Sequence, residues 1–407
     1  MNTSGKPVRA DVLIAGAGFA GLALAAALQR VGLDVALADP ALRRAAPPDA
    51  RAFALVPGSR HLLEAIGAWE AIAPGAEAVR HMEISDARLK EAMRPVLLHF
   101  DAPARGEPVA HIAPSPLIRL ALHEAAQAAG VRTIPAAITS REAGPAGVRA
   151  VLSDGATAQA SLLVGAEGAN SPLRRMAAIR THGWRYDQAG IVTTVALEHP
   201  HEGVAVQHFL EGGPFALLPL PGKRASVVWS ERRLGAERLY ALPDDDFRAA
   251  LQERAGWRFG EIALAGPRAL RPLRLQVARR FTAPRLALIG DAAHVTHPIA
   301  GQGLNLGFRD VAALAEVIAD AARLGGDVGT AEMLARYESW RRFDTMLMLG
   351  AMDALLRLFL LRGGPARIVR DAGMGLFERL PGVKGKVMTA AAGLSGEVPR
   401  LMRGEAL

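Results

Sequence analysis

Two glycine-rich stretches carry the residue types that could do chemistry in this chain. The first is Gly16-Ala17-Gly18-Phe19-Ala20-Gly21, which follows the apolar run DVLIA and leads into LALAAALQRVG. Glycines at this spacing between a strand and a helix allow a tight turn, close approach of backbone to a pyrophosphate, and helix–strand packing. The phosphate would rest on the positive end of the helix. Asp39 ends the next apolar run, DVALAD, where an acid can accept hydrogen bonds from ribose hydroxyls. This turn alone fits FAD and NAD equally.

The second stretch is GDAAHVTHPIAGQGLNLGFRDV, residues 290–311. The run RLALI delivers Gly290-Asp291 to the carboxyl end of a strand, the end at which open α/β sheets bind ligands. Asp291 there can accept hydrogen bonds from a ribityl chain. Pro298 precedes Gly301-Gln302-Gly303-Leu304-Asn305, which opens a helix with Val311, Leu314, Ala315 and Ile318 on one apolar face. Free N–H groups at that helix start could meet the polar edge of a flavin, and the glycines would let the ring lie against backbone. NAD has no ribityl chain, so the pair of motifs points to FAD. His294 and His297 have no third ligand cluster near them in sequence, and we expect no metal site.

The elements that position these motifs can be read from pattern. Three strand-then-glycine segments (DVLIAGAG, SLLVGAEG, LALIGDAA) imply an α/β fold with a Rossmann-like FAD-binding domain of the glutathione-reductase type. Between the last two, TTVALEHP, VAVQHFLE, FALLPL and RASVVWS read as strands separated by turn residues. We therefore expect a discontinuous FAD-binding domain over 1–75, 106–180 and 272–340. A β-rich substrate domain would take 76–105 and 181–271, and a helical C-terminal region 341–407; after Val311 the chain reads as helix nearly to the end, broken at Gly325-Gly326 and Gly363-Gly364-Pro365.

Composition limits the rest. The 407 residues include no cysteine, which excludes disulfides, iron–sulfur clusters and thiolate nucleophiles. The formal charge is +8, but of 48 basic residues only Lys6, Lys90, Lys223, Lys384 and Lys386 are lysines. The arginines are scattered and lack interleaved aromatics, so no nucleic-acid partner is expected. The opening MNTSGKPVRADVLIAG holds no long apolar segment, and a cytoplasmic location is expected. The run MLMLGAMDALLRLFLL is shorter than the roughly 20 residues that span a bilayer. It reads first as a buried core helix and second as a surface that lies on a membrane or holds a prenyl chain.

GAGFAG, LVGAEGANSPLR and the 290–311 stretch together resemble the three motifs of flavoprotein aromatic hydroxylases with the p-hydroxybenzoate hydroxylase fold. RAFALVPGSRHLLEAIGAW, YDQAGIVTTV, FLEGGPFALLPL and AAGLSGEVPRLMRGEAL are similar to the ubiquinone-biosynthesis hydroxylase family. The resemblance implies that Gly16, Gly18, Phe19, Ala20, Gly21 and Asp39 hold the ADP half of FAD, with Arg51 and Ser115 also at the cofactor. It implies that Asp291 binds the ribityl chain and that Pro298 and Gly301 to Asn305 line the isoalloxazine. Glu167-Gly168 stands where the family has Asp-Gly, and Ser115 where relatives have a longer polar side chain.

The activity implied by the resemblance is hydroxylation of a polyprenylated phenol, a quinone precursor, through a flavin hydroperoxide formed with O₂. NAD(P)H or a redox protein would be the electron donor. Partners in a quinone-biosynthesis complex and peripheral contact with the inner membrane are further expectations. The strands of the insertion would bring Gln207, Phe209, Phe215, Leu217 and Pro219 to the substrate, and no residue is singled out as proton acceptor. The rival readings are a hydroxylase of a soluble phenol and a non-catalytic flavoprotein subunit of an assembly.

Overall fold

The apolar run at the end of Val8–Ala15 is wholly buried, and this strand becomes the middle of a parallel sheet. In the computed structural model of the chain, Val8–Ala15 pairs in parallel with Thr157–Gly165 on one side and Val35–Ala38 on the other. Leu286–Leu288 and Arg132–Ile134 extend the sheet in parallel, and the antiparallel strands Ile138–Gly144 and Gly147–Leu152 hang from Thr157–Gly165. The structure describes residues 7–44, 49–86, 89, 94–102, 106–298, 301–360, 375 and 379–407. The expected break at Gly363-Gly364-Pro365 lies outside them.

The helix Phe19–Arg30 is Ala/Leu-rich on nearly all sides and is buried between the parallel sheet, the helix Ser115–Ala128 and the long helix Gln302–Arg323. This packing brings together the two helices that carry the glycine motifs. A small sheet of Ala52–Leu55, Ala110–Pro114 and Glu77–Val79 lies beside them.

The β-rich insertion is a second sheet. Its order is His294–Val295, Ala269–Ala278, Thr181–Leu197, Arg224–Arg232, Gly213–Leu220, Val204–Leu210, His81–Asp86 and Leu98–Asp101. All these pairings are antiparallel except Val204–Leu210 with His81–Asp86. Helices Arg233–Tyr240 and Asp244–Ala255 cover one face over a core that includes Phe215, Leu217, Trp229 and Phe247.

Two expected boundaries fall inside continuous elements. The one between 271 and 272 cuts the strand Ala269–Ala278, whose far end pairs Gln276 with Val295 and Val277 with His294. The insertion is thereby hydrogen-bonded directly to the segment that follows Asp291. The boundary between 340 and 341 cuts the helix Ala331–Leu360, which continues without a break and keeps one face exposed in its second half. Gly325, at φ 68°, does break the preceding helix.

Candidate active site

The turn after Val8–Ala15 is built for contact with backbone. Gly16 has φ 107°, and a Cβ there would run into the Ala166 carbonyl, while a Cβ on Gly21 would run into the carbonyl of Gly16. Both glycines serve closeness within the protein. Gly18 differs, because a Cβ on it would meet nothing within 4 Å. It faces open space at the start of Phe19–Arg30, a helix with neither a side-chain cap nor an acidic first turn. Asp39 folds back on the same turn: one carboxylate oxygen accepts from the Ala17 N–H and the other from the Ala41 N–H, each at 2.7 Å.

The open space is one cavity of about 1450 Å³. At one end lie Gly18, Phe19, Ala20, Arg51, Ala166 and Gly168; further along come Asp291, Pro298 and residues 301–304. Asp291 is exposed on the wall of this cavity, enclosed by protein on its other sides, and its carboxylate makes no hydrogen bond among the described residues. Burial pushes its carboxyl up from the usual range, against the pull of His294, Arg51 and Arg274. A carboxylate held without a donor in such a place suits a polyhydroxy chain that brings its own donors.

Gly290, at φ 56°, is fixed from below. Its N–H donates to Asp310 Oδ2 at 3.0 Å, and the same oxygen meets His294 Nε2 at 2.6 Å. Asp310 Oδ1 accepts from Arg341 Nε at 2.9 Å, and Arg341 also reaches Asp344 at 2.6 Å. Asp310 and Arg341 are wholly buried. Burial opposes the charge on Asp310, but His294 and Arg341 outweigh it and hold the carboxyl below its ordinary range. The sequence reading does not single out Asp310. Its signal is an acid on the apolar face of a helix, in line with Leu306, Ala313, Leu314 and Val317.

Other residues singled out from the sequence fall elsewhere. Glu167 does not line the cavity; its extra methylene lets the carboxylate accept from Ser171 Oγ at 2.6 Å and from the Leu173 N–H at 3.1 Å, so it caps a short helix. Burial raises its carboxyl in spite of those bonds. Ser115 is buried and donates to Asp49 Oδ2 at 2.6 Å, away from the cavity lining. Asp49 also binds the Arg51 guanidinium at 2.7 Å; although burial acts to raise its carboxyl, the bonds from Arg51 and Ser115 hold it at about 2. Asn305 is spent within the protein. Its Oδ1 accepts from Ser59 Oγ and the Val56 N–H, and its Nδ2 donates to the carbonyls of Ala54 and Gly301. His297 is 1% exposed, neither ring nitrogen is hydrogen-bonded among the described residues, and burial lowers its pKa to about 4.

The substrate-side assignments divide by strand face. Ala205, Gln207 and Phe209 line the cavity, as do Ala216 and Leu218 on the neighbouring strand. Phe215, Leu217 and Pro219 do not, because alternate residues of a strand point to opposite faces. Phe215 and Leu217 belong instead to the core under helices Arg233–Tyr240 and Asp244–Ala255. One register row crosses the sheet as Val192, Val228, Ala216, Gln207 and Ile84, all of them lining the cavity. With Gly190 two residues before Val192, the centre of this wall is made of small side chains, broad enough for a planar ring. Arg271 lies on the same wall, and its guanidinium makes no ion pair or hydrogen bond among the described residues. The segment 385–394 closes another side through Val387, Met388, Thr389 and Leu394, a wall not foreseen from the sequence.

These residues fit FAD. Gly18 leaves room for a phosphate at a helix start, Asp291 offers an unpaired carboxylate to the ribityl chain, and Pro298 with residues 301–304 would border the isoalloxazine. When bound, FAD supplies the redox chemistry and the activation of O₂.

Comparison with known proteins agrees with this geometry. Residues 9–348 match the FAD binding domain family. The chain is 43% identical to ubiquinone hydroxylase UbiL of Rhodospirillum rubrum, over 97% of this chain and 93% of that protein. It is 32% identical to 3-demethoxyubiquinol 3-hydroxylase of Escherichia coli, over 94% and 98% respectively. Its fold superimposes on p-nitrophenol 4-monooxygenase PnpA of Pseudomonas putida with a TM-score of 0.78 at 18% identity, covering 96% and 99% of the two chains. The chain is an FAD-dependent monooxygenase and belongs to the ubiquinone-biosynthesis hydroxylases of the FAD-binding-domain family.

Proposed function

We propose that the protein hydroxylates the aromatic ring of a polyprenylated phenol on the route to ubiquinone. The observation that carries this reading is the continuity of one cavity from the cofactor turn to an apolar far end. That end is lined by Met82, Ile84, Leu98, Phe100, Leu358 and Phe359. At about 1450 Å³ the cavity exceeds the roughly 300–1,000 Å³ of a single-ligand pocket, leaving room for a second molecule beside a dinucleotide. Apolar walls suit a prenyl chain, since burying each CH₂ contributes about 0.8 kcal/mol.

The chain's own residues would orient the ring and keep out water. The small wall of Gly190, Val192, Val228 and Ala216 accepts a flat ring, and Gln207 offers it a polar contact. Arg271 places a positive charge on that wall, which favours the ionised, more electron-rich form of a phenol set against it. O₂ is the co-substrate, and NAD(P)H or a redox protein supplies the electrons. The two relatives named for ubiquinone chemistry support the substrate class, and partners in a quinone-biosynthesis complex belong to the same reading.

The test is deletion of the gene followed by mass spectrometry of quinone precursors. Loss of ubiquinone with accumulation of an intermediate lacking one hydroxyl is expected. Unchanged ubiquinone, with no second hydroxylase present, would overturn the reading in favour of a soluble phenol.

A further inference from the structure

A monooxygenase whose reduced flavin meets O₂ with no ring to hydroxylate releases hydrogen peroxide into its own cavity. The chain has no cysteine, so its 11 methionine thioethers are its most readily oxidised side chains. The fold sorts the described methionines into three environments. Met333, Met348, Met352 and Met402 pack into the cores. Met176 and Met346 are 40% and 47% exposed to solvent. Among the described residues only Met82 and Met388 line the cavity.

Met388 is the better placed of the two. It belongs to the helix Pro381–Ala391, about 4.5 Å of helix rise before Ala391. The Ala391 carbonyl accepts from Gln302 Nε2 at 3.4 Å, and Gln302 stands at the cofactor end of the cavity. The Met388 sulfur accepts no hydrogen bond among the described residues. Met82 lies at the apolar far end, paired across the sheet with Ala205 and Phe100. Met352 is behind the wall: it is 6% exposed, and its sulfur accepts from Thr296 Oγ1 at 3.4 Å.

We propose that Met388 is an oxidation site, whose thioether takes one oxygen atom from peroxide formed within the cavity. The O–O bond breaks and an S–O bond forms. The sulfur loses two electrons, and the other peroxide oxygen leaves as water. The sulfoxide sets a strong dipole beside Val387 and Leu394 in a wall that was apolar. Turnover without substrate thereby weakens the wall that receives an apolar chain, and enzymatic reduction of the sulfoxide restores it. The effect on substrate rests on the prenylated-phenol reading; the oxidation itself does not.

The test uses the full-length, FAD-loaded protein without aromatic substrate. Its flavin is reduced anaerobically with stoichiometric dithionite and reoxidised with O₂ through repeated cycles, with catalase in solution to destroy peroxide that escapes. Peptide mass spectrometry reads the added oxygen at each methionine. Met388 is expected to gain it roughly tenfold more than Met176 or Met346. Peroxide added without catalase to the protein with oxidised flavin should reverse that order, because the exposed sulfurs meet it first. Met388→Leu keeps the bulk of the wall and removes the sulfur. After the same cycles the parent should show a higher KM for a prenylated phenol than at its own start, and the variant should not. Oxidation spread evenly over cavity and surface methionines, or falling first on Met82, would overturn the proposal. So would a Met388 signal that catalase abolishes, or a variant whose KM rises as the parent's does. Oxidation of Met388 in a protein that turns over only soluble phenols upholds the site and fails the substrate reading alone.

Discussion

Asp310 grips the backbone N–H of Gly290 at 3.0 Å, twenty residues back along the chain, and so fixes the turn from which Asp291 projects. The same carboxylate binds His294 and Arg341, making it the hub of a buried ion cluster. Asp310→Ala leaves Arg341 with Asp344 as its remaining acidic partner and frees the Gly290 amide. The expected loss of stability is about 3–5 kcal/mol, as when one member of a buried ion pair is removed. Denaturant unfolding measures it, and a loss below about 1 kcal/mol would remove Asp310 from this role.

The glycines and Asp291 separate folding from cofactor binding. Gly18→Ala adds a methyl group that meets no protein atom, so its melting temperature without FAD should equal the parent's while its FAD affinity falls. Gly21→Ala collides with the Gly16 carbonyl and should unfold earlier with or without FAD. Asp291→Ala should fold and bind FAD less tightly by about 1.5–3 kcal/mol, the worth of a hydrogen bond to a charged group. Flavin fluorescence titration of the three proteins, with melts of each, reads all of this.

Adjacent residues of one strand should fail in opposite ways. Ala216→Phe fills the cavity wall and should lower kcat/KM roughly tenfold or more with little change in FAD affinity. Phe215→Ala hollows the other core and should cost about 3–5 kcal/mol of stability. Steady-state kinetics and thermal melts on the pair decide whether the two faces are assigned correctly.

Arg271→Met should raise the apparent pKa on the acid limb of the kcat/KM profile, because the wall loses the charge that favours phenolate. The deficit should shrink at high pH, where the phenol ionises unaided. A uniform deficit across pH would make Arg271 a packing residue.

Buried neutral histidines should make the fold acid-sensitive. Burial lowers the pKa of His208 and of His297 from 6.5 to about 4. The unfolded chain therefore takes up protons first, and stability present above pH 6.5 is lost as pH falls toward 4. Each site should contribute about 2 kcal/mol of loss between about pH 7.5 and pH 5. His297→Gln should lose part of that dependence in urea melts compared at the two pH values.

The cofactor turn was legible because its spacing is local: Gly16, Gly18 and Gly21 fall within six residues between a strand and a helix, although the Ala166 carbonyl that crowds Gly16 comes from far along the chain. Asp291 was legible because a strand end places it. The faces of the strand Gly213–Leu220 were not, since seven of its eight residues are buried and alternation carries no polar mark. Phe215, Leu217 and Pro219 look as suitable in sequence as Ala216 and Leu218. Asn305 looked like a cofactor residue because of its place at a helix start. Its partners Ala54, Val56 and Ser59 lie about 250 positions away, beyond the reach of any local pattern.

The wall supplied by residues 385–394 bears on how the protein is made. The Gly18 turn leaves the ribosome long before Val387, Met388 and Leu394 of the same cavity. Domains tend to form in the order of synthesis, and contacts this distant in sequence form late. A growing chain can assemble the Val8–Gly21 turn within seconds and still lack the far wall. Flavin capture then marks a chain extended through the 385–394 wall, and products terminated before that segment should accumulate colourless.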